Sequence, residues 1–167
     1  MYFCNMVNYM IIEDEPFAYE EMKRMMTILR PDYHLQAWAD SVKDALCTLR
    51  KTIPNLLVVD IRLSDGLCFD VFERMPVSTP VIFTTAYDEY ALRAFRVNSI
   101  DYLLKPIEEK DLERALAKFE ANNLPNPSSG EYRSLASTYL GSVKKKRFLI
   151  SVGAVSYTHL TLPTKLE

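Results

Sequence analysis

The chain has 167 residues, of which 49% are hydrophobic and 25% charged, and its formal net charge is −2. This balance is typical of a globular protein, and a chain of this length can bury about two-thirds of its unfolded surface around a core of its own. The four glycines lie too far apart to form a Gly-rich phosphate loop, and the three cysteines contain no CxxC pair that would indicate a zinc site.

Charge is distributed unevenly along the chain. Residues 1–120 contain 14 basic and 20 acidic side chains, whereas residues 121–167 contain 6 basic and 2 acidic ones. The acidic body disfavours nucleic-acid binding by that part of the chain. The basic run at 144–147 is interpreted either as a solvated linker or as the edge of a surface that contacts phosphates.

No segment of the sequence indicates a membrane or a secretory route. The chain contains no run of 18 apolar residues, and its first ten residues lack the basic start and the long apolar segment of a signal peptide. We therefore expect a cytoplasmic protein with reduced thiols and no membrane contact.

Five short apolar runs alternate with five helical patterns. The runs, which predict β-strands, lie at 9–12, 33–39, 56–59, 81–83 and 100–104. The helical patterns, in which apolar residues recur every three or four positions, lie at 16–30, 42–49, 69–72, 90–95 and 108–119. Pro31 ends the first helix, and Ser41 is a typical N-cap for the second.

This alternation predicts an α/β fold, in which a five-stranded, parallel, doubly wound sheet carries helices on both faces. In such a sheet the functional site lies outside the carboxyl ends of the strands, where the strand order switches. The polar side chains at four of those ends are therefore candidates for the site: Glu13, Asp14, Asp60, Thr84, Thr85 and Lys105.

These residue types favour phosphate chemistry. Three carboxylates at neighbouring strand ends repel one another unless a cation or a proton compensates. Mg²⁺ prefers one or two carboxylates together with water and a phosphate, so Glu13, Asp14 and Asp60 predict a magnesium site with room for a phosphoryl group. Lys105 adds a positive charge, and the set favours phosphoryl transfer to Asp60 as the nucleophile. The alternative for Asp60 alone is a turn or helix-capping residue.

The motifs at the strand ends are similar to those of a known family. Residues 9–122 resemble the receiver domain of two-component response regulators. The motifs that carry the resemblance are the acidic pair Glu13-Asp14 within 12–16, Asp60, Thr85 followed by the small Ala86, and the segment 102–106. The resemblance implies a flavodoxin-like fold and a phosphorylation-activated signalling switch rather than an enzyme.

Three further segments resemble one subgroup of that family. Residues 83–91 and 98–102 are similar to receivers that carry a C-terminal LytTR DNA-binding domain, and 145–150 resembles the opening strand of that domain. We therefore expect a receiver domain at 7–122, a linker at 123–143 and the start of a truncated LytTR-like domain at 144–153. Residues 154–167 are interpreted as a tail derived from cloning or read-through. DNA binding would then need a full-length effector domain.

Carried over residue by residue, the resemblance implies metal ligands and a phosphoacceptor. Glu13, Asp14 and Asp60 hold Mg²⁺ together with the backbone carbonyl of Arg62, and Asp60 accepts a phosphoryl group from a sensor histidine kinase. Glu13 departs from the family, which often has Asp at this position, and its longer side chain still reaches the ion through water.

The resemblance also implies switch residues. Lys105 contacts the phosphoryl group, and its bond to Pro106 is expected to be cis. The strand pattern does not choose between Thr84 and Thr85, but the small residue after Thr85 matches the family, so Thr85 is the hydroxyl that follows the phosphoryl group. Tyr102 is the switch aromatic, unless it is simply a strand tyrosine packed at the sheet edge. The readout is a changed face on the last helix pair, used for homodimerisation or partner contacts.

Two other classes of protein compete with this interpretation. A phosphatase of the haloacid-dehalogenase type also places a nucleophilic Asp after a strand, but it needs a second Asp two positions later, where this chain has Arg62. The other is a non-phosphorylated interaction module of the same fold. If the site is phosphorylated, the large side chains of Arg62 and Tyr87, each two positions past a site residue, are predicted to shield the acyl phosphate from water.

Overall fold

Five parallel strands form one sheet in the computed structural model, which describes residues 6–124. They are β1 (Asn8–Ile12), β2 (His34–Ala39), β3 (Leu56–Asp60), β4 (Val81–Thr85) and β5 (Ser99–Leu104). Their spatial order is β2-β1-β3-β4-β5, and every adjacent pair is parallel. The order reverses between β1 and β3, which makes this the doubly wound, flavodoxin-like arrangement that was predicted.

A helix follows each strand, as predicted. The five helices are α1 (Pro16–Leu29), α2 (Val42–Leu49), α3 (Phe69–Arg74), α4 (Ala91–Ala94) and α5 (Glu109–Asn123). Pro16 is the first residue of α1, where its missing N–H costs nothing. The Ser41 side chain accepts a hydrogen bond from the Asp44 N–H at 3.2 Å, which confirms the predicted N-cap of α2.

Two apolar layers cover the two faces of the sheet. Alternate residues of β1, β3 and β4, such as Met10, Val59 and Phe83, pack against α2, α3 and α4. The residues between them pack against α1 and α5, whose predicted stripes are buried and include Met22 and Leu116. All five residues of β3 are buried, as expected for a central strand with apolar residues at consecutive positions.

A short hairpin that was not predicted follows β3. Arg62–Leu63 pairs antiparallel with Gly66–Leu67, and the Asp65 carboxylate accepts the N–H of Val42 at 2.8 Å and that of Lys43 at 3.1 Å. Gly66 has φ of +148°, a conformation that side chains other than glycine rarely adopt. The turn therefore ties the loop after β3 to the first turn of α2.

The predicted C-terminal segments lie almost entirely outside the described residues. Helix α5 continues to Asn123, so the first residue of the predicted 123–143 linker is helical. The remainder of that linker beyond residue 124, the predicted start of a LytTR-like domain at 144–153 and the predicted tail at 154–167 are not described. Within residues 6–124, no helix combines the length and the apolar character needed to cross a membrane.

Candidate functional site

The carboxyl edge of the sheet brings the predicted acidic residues together. Glu13 and Asp14 follow β1, and Asp60 is the last residue of β3, the strand beside it. One carboxylate oxygen from each of the three residues lies within 4.8 Å of the others. The convergence follows from the topology, because the carboxyl ends of parallel neighbours meet at one edge.

Lys105, directly after β5, adds a positive charge to the cluster. Its backbone N–H donates to the Thr85 carbonyl at 2.8 Å, which extends the pairing of β5 with β4 by one residue. Its Nζ donates to Glu13 Oε2 at 2.8 Å and to Asp60 Oδ2 at 2.6 Å. The Lys105–Pro106 peptide bond is cis, as expected. The ammonium group therefore bridges two of the three carboxylates.

The cluster carries more negative than positive charge in a sheltered place. Glu13 is 4% exposed and Asp60 is 8% exposed. Burial, with a further contribution from the nearby Asp60 charge, raises the pKa of Glu13 to about 7 against the opposing hydrogen bond from Lys105. Burial alone would lower the pKa of Lys105, but its hydrogen bonds to the two carboxylates outweigh burial and raise it above its usual value.

This donor set fits a hard divalent cation. Three carboxylates with one ammonium group leave an excess of negative charge, and carboxylate oxygens are the ligands that Mg²⁺ prefers. The residues that would hold it are Glu13, Asp14 and Asp60. The Arg62 N–H donates to Asp60 Oδ1 at 3.1 Å, which places Arg62 directly beside the cluster. Its carbonyl as a fourth ligand stays a prediction.

The two threonines at the end of β4 lie on different sides of the sheet. Thr84 pairs in register with Asp60 and lines a cavity beneath α1 together with Glu13 and Lys105. Thr85 is fully buried, and its Oγ1 accepts the Tyr87 N–H at 3.2 Å. Thr85 thus holds the loop after β4, whereas Thr84 is beside the cluster. Thr85 as the hydroxyl that follows the phosphoryl group stays a prediction.

Tyr102 and the two predicted shielding residues meet at this loop. Tyr102 is half-buried on β5, and its hydroxyl donates to the Tyr87 carbonyl. The Arg62 guanidinium lies over the Tyr87 ring, 4.8 Å from the ring centroid. Arg62, two positions after Asp60, therefore contacts Tyr87, two positions after Thr85. Tyr87 in turn accepts the hydrogen bond from Tyr102.

One contact of the acidic loop was missed by the sequence analysis. The indole Nε1 of Trp38, on β2, donates to the backbone carbonyl of Glu13 at 2.8 Å. The two residues are 25 positions apart, and no motif links them. The only signal available was that Trp38 is the single tryptophan of the chain.

The comparisons with known proteins agree with this geometry. The family model described as the response regulator receiver domain matches residues 9–117, which is more than half of the chain. The chain belongs to the response regulator receiver domain family. Receiver domains of two-component systems are signalling switches rather than classical enzymes, and they bind Mg²⁺ at an acidic pocket such as the one described above.

Curated relatives place this receiver within the predicted subgroup. The chain is 39% identical over 112 residues to the sensory transduction protein LytT of Enterococcus faecalis, covering 65% of this chain and 46% of that protein. It is 36% identical over 122 residues to the positive alginate biosynthesis regulatory protein of Pseudomonas aeruginosa, covering 70% and 48%. The similarity to LytT proteins confirms the predicted LytTR-type resemblance. The chain spans about half the length of the curated relatives it matches.

Solved structures confirm the receiver fold. The response regulatory domain of protein mrkE from Klebsiella pneumoniae matches with a TM-score of 0.59 and 27% identity, covering 67% of this chain and 93% of that one. The non-phosphorylated HemR receiver domain from Leptospira biflexa matches with a TM-score of 0.60 and 25% identity, covering 72% and 98%. In both cases nearly the whole neighbour corresponds to the receiver part of this chain.

Proposed function

We propose that Asp60 accepts a phosphoryl group from a sensor histidine kinase and thereby switches this receiver to an active form that controls a DNA-binding effector. The observation that carries the proposal is the position of Asp60. One of its oxygens lies 2.6 Å from the Lys105 ammonium group, and it shares a 4.8 Å cluster with the carboxylates of Glu13 and Asp14. An aspartate that only capped a turn or helix would not require an ammonium group and two further carboxylates beside it.

The transfer is a substitution at phosphorus. A carboxylate oxygen of Asp60 forms a bond to the phosphorus atom of the kinase phosphohistidine, and the bond between phosphorus and the imidazole nitrogen breaks. The electron pair of that bond remains on the nitrogen, which takes up a proton, and Asp60 becomes an acyl phosphate. Lys105 neutralises charge that develops on the transferring oxygens, and the fixed position of Asp60 lowers the entropic cost of reaction.

The chain's own residues divide the remaining roles. Mg²⁺, held by Glu13, Asp14 and Asp60 with the carbonyl of Arg62, would supply further neutralisation of the phosphoryl oxygens when bound. Glu13 also keeps Lys105 in place by accepting its 2.8 Å hydrogen bond, so the ammonium group points to Asp60 before the phosphohistidine of the kinase arrives. Burial of the site limits access of competing water.

The switch follows from the charge that the acyl phosphate adds. Because the Asp60 carboxylate loses its own charge when it becomes an acyl phosphate, phosphorylation adds about one net negative charge, together with new acceptor oxygens toward which the Thr85 hydroxyl turns as a donor. Moving Thr85 disturbs its bond from the Tyr87 N–H, and the Tyr87 carbonyl is the acceptor for Tyr102. A shift from 1:99 to 99:1 needs about 5.5 kcal/mol of differential interaction, which charge-assisted hydrogen bonds from Lys105 and Thr85 can largely supply.

The output surface lies on the last helix pair. Two residues of this region, Leu92 on α4 and Phe95 just after it, are 72% and 76% exposed. Large apolar side chains exposed side by side fit a surface that is covered in the active form, by a second receiver or by a partner. DNA contact would come through a full-length effector domain.

The experiment is phosphorylation of the full chain by acetyl phosphate in MgCl₂. We expect the intact mass to rise by one phosphoryl group and Asp60→Asn to abolish the rise, while the control Asp32→Asn, which changes an exposed turn carboxylate, leaves it intact. Beryllofluoride should change the spectra of the wild type and not of Asp60→Asn. No mass gain and no beryllofluoride response would favour an inert interaction module, and turnover of a phosphomonoester would favour the phosphatase.

A further inference from the structure

The loop that carries Glu13 and Asp14 is held from the edge strand β2. Beyond the last residue of β1, the Glu13 N–H donates to the Ala39 carbonyl at 3.0 Å, and the Glu13 carbonyl accepts from Trp38 Nε1 at 2.8 Å. Both backbone polar groups of Glu13 are therefore bonded to two consecutive residues of β2. The first bond continues the sheet, but the second depends on one side chain.

The second bond determines where the next carboxylate lies. The Glu13 carbonyl belongs to the planar peptide group that joins Glu13 to Asp14, so its direction also sets the position of the Asp14 Cα atom. The Glu13 side chain is fixed separately, because Oε1 accepts from the Glu15 N–H at 3.1 Å and Oε2 accepts from Lys105. Asp14 depends more on the Trp38 bond than Glu13 does.

The indole is itself fixed. The ring of Trp38 stacks on the ring of Tyr19 in α1, with centroids 4.1 Å apart and planes 10° from parallel. Tyr19 is 8% exposed, whereas Trp38 is 40% exposed. The stack limits rotation of the partly exposed indole and so keeps its N–H directed at the Glu13 carbonyl. An indole nitrogen is a donor only, so it cannot serve a metal directly.

We propose that Trp38 is a positioning residue of the magnesium site, which holds the Glu13–Asp14 peptide so that the Asp14 carboxylate faces Asp60 beside that of Glu13. The inference rests on the proposed function of this cluster. Removing groups that orient metal ligands typically weakens metal affinity by about 10- to 100-fold. Because Trp38 acts through one peptide group, we expect the lower end, about tenfold weaker Mg²⁺ binding, when its N–H is lost.

The test compares Trp38→Phe with a matched control. Phenylalanine keeps an aromatic ring against Tyr19, while it loses the N–H donor together with the second ring of the indole. Thr79→Val also removes one side-chain hydrogen bond to a backbone carbonyl, that of Thr79 Oγ1 to Pro54 at 3.2 Å, at the amino end of the sheet away from the acidic cluster. Calorimetric titration of each full chain with MgCl₂ should give about tenfold weaker binding for Trp38→Phe and unchanged binding for Thr79→Val.

The other outcomes decide against the inference. Wild-type affinity in Trp38→Phe, or equal weakening in Thr79→Val, would mean that the hydrogen bond contributes to stability alone. If the wild type itself binds no Mg²⁺, the metal site of the proposed function fails, and the positioning role fails with it. If the wild type binds Mg²⁺ and Trp38→Phe binds it equally well, only the positioning role fails.

A measurement on the unaltered chain covers the case in which Trp38→Phe does not fold. As the chain has one tryptophan, its indole N–H gives a single NMR resonance. We expect this resonance to shift on addition of MgCl₂, with the same midpoint as the calorimetric titration. An indole resonance that does not move while Mg²⁺ binds would overturn the proposal.

Discussion

One sheltered arginine joins the end of α1 to α5 by hydrogen bonds, and replacing it should cost a measurable part of the stability. Arg30, just after α1, donates to both oxygens of Glu113 at 2.8 and 3.1 Å and to both oxygens of Glu120, and Tyr33 donates to Glu120 at 2.7 Å. The side chain of Arg30 is 16% exposed, against 47% for Glu113 and 32% for Glu120. Arg30→Met keeps the aliphatic stem and removes the guanidinium.

The magnitude follows from how sheltered each pair is. The exposed pair with Glu113 is worth about 0.5 kcal/mol or less. The bidentate pair with Glu120 is better sheltered and charge-assisted, and losing it costs about 1.5 kcal/mol because the carboxylate keeps only Tyr33 as a partner. Arg30→Met should therefore lower the free energy of unfolding by about 2 kcal/mol. This is a large part of the 5–15 kcal/mol that is typical of a domain.

The assay is urea unfolding of the full chain, followed by the fluorescence of Trp38. The matched control is Arg24→Met within α1. Arg24 pairs with Glu21 at 2.7 Å and with Glu109 of α5 at 3.7 Å, but the side chains of all three residues are more than half exposed. That variant should unfold with the wild type. Equal midpoints for Arg30→Met and Arg24→Met would refute the argument, because shelter from water would then make no difference to an ion pair.

Three further outcomes can be measured, one with Arg30→Met and two with variants near Asp60. Burial would raise the pKa of Glu120, but hydrogen bonds from Arg30 and Tyr33 outweigh burial and hold this pKa below its usual value of 4.5. The stability lost in Arg30→Met should therefore be greatest above pH 4.5 and should shrink as the pH falls further. A loss of stability that does not change with pH contradicts this. Thr85→Ala should keep the mass gain and lose most of the beryllofluoride-induced spectral change, whereas Thr84→Ala should keep both, and the reverse result would move the switch hydroxyl to Thr84. Tyr87→Ala should lose its acyl phosphate faster than the wild type, as followed by the decay of the phosphorylated mass, and slower decay would exclude a shielding role.

Periodicity and topology account for the parts of this molecule that could be predicted. The buried run of β3 and the apolar stripe of α5 each satisfy a local spacing rule, and those rules concern neighbours in sequence. The acidic cluster was predictable for a different reason. Once the strands are parallel, Asp60 must end at the same edge as Glu13 and Lys105, although the latter two are 92 positions apart. Chain direction therefore carries long-range information that residue spacing lacks.

The contacts that escaped prediction are side-chain hydrogen bonds between distant elements. Arg30 reaches Glu120 across 90 positions, and Trp38 reaches the Glu13 carbonyl across 25. Each depends on rotamers and on the exact offset between packed elements, which the apolar pattern leaves undetermined because any small shift buries nearly the same area. These contacts select one arrangement among several of similar burial. For that reason the prediction of which residues belong to the site was easier than the prediction of what holds them there.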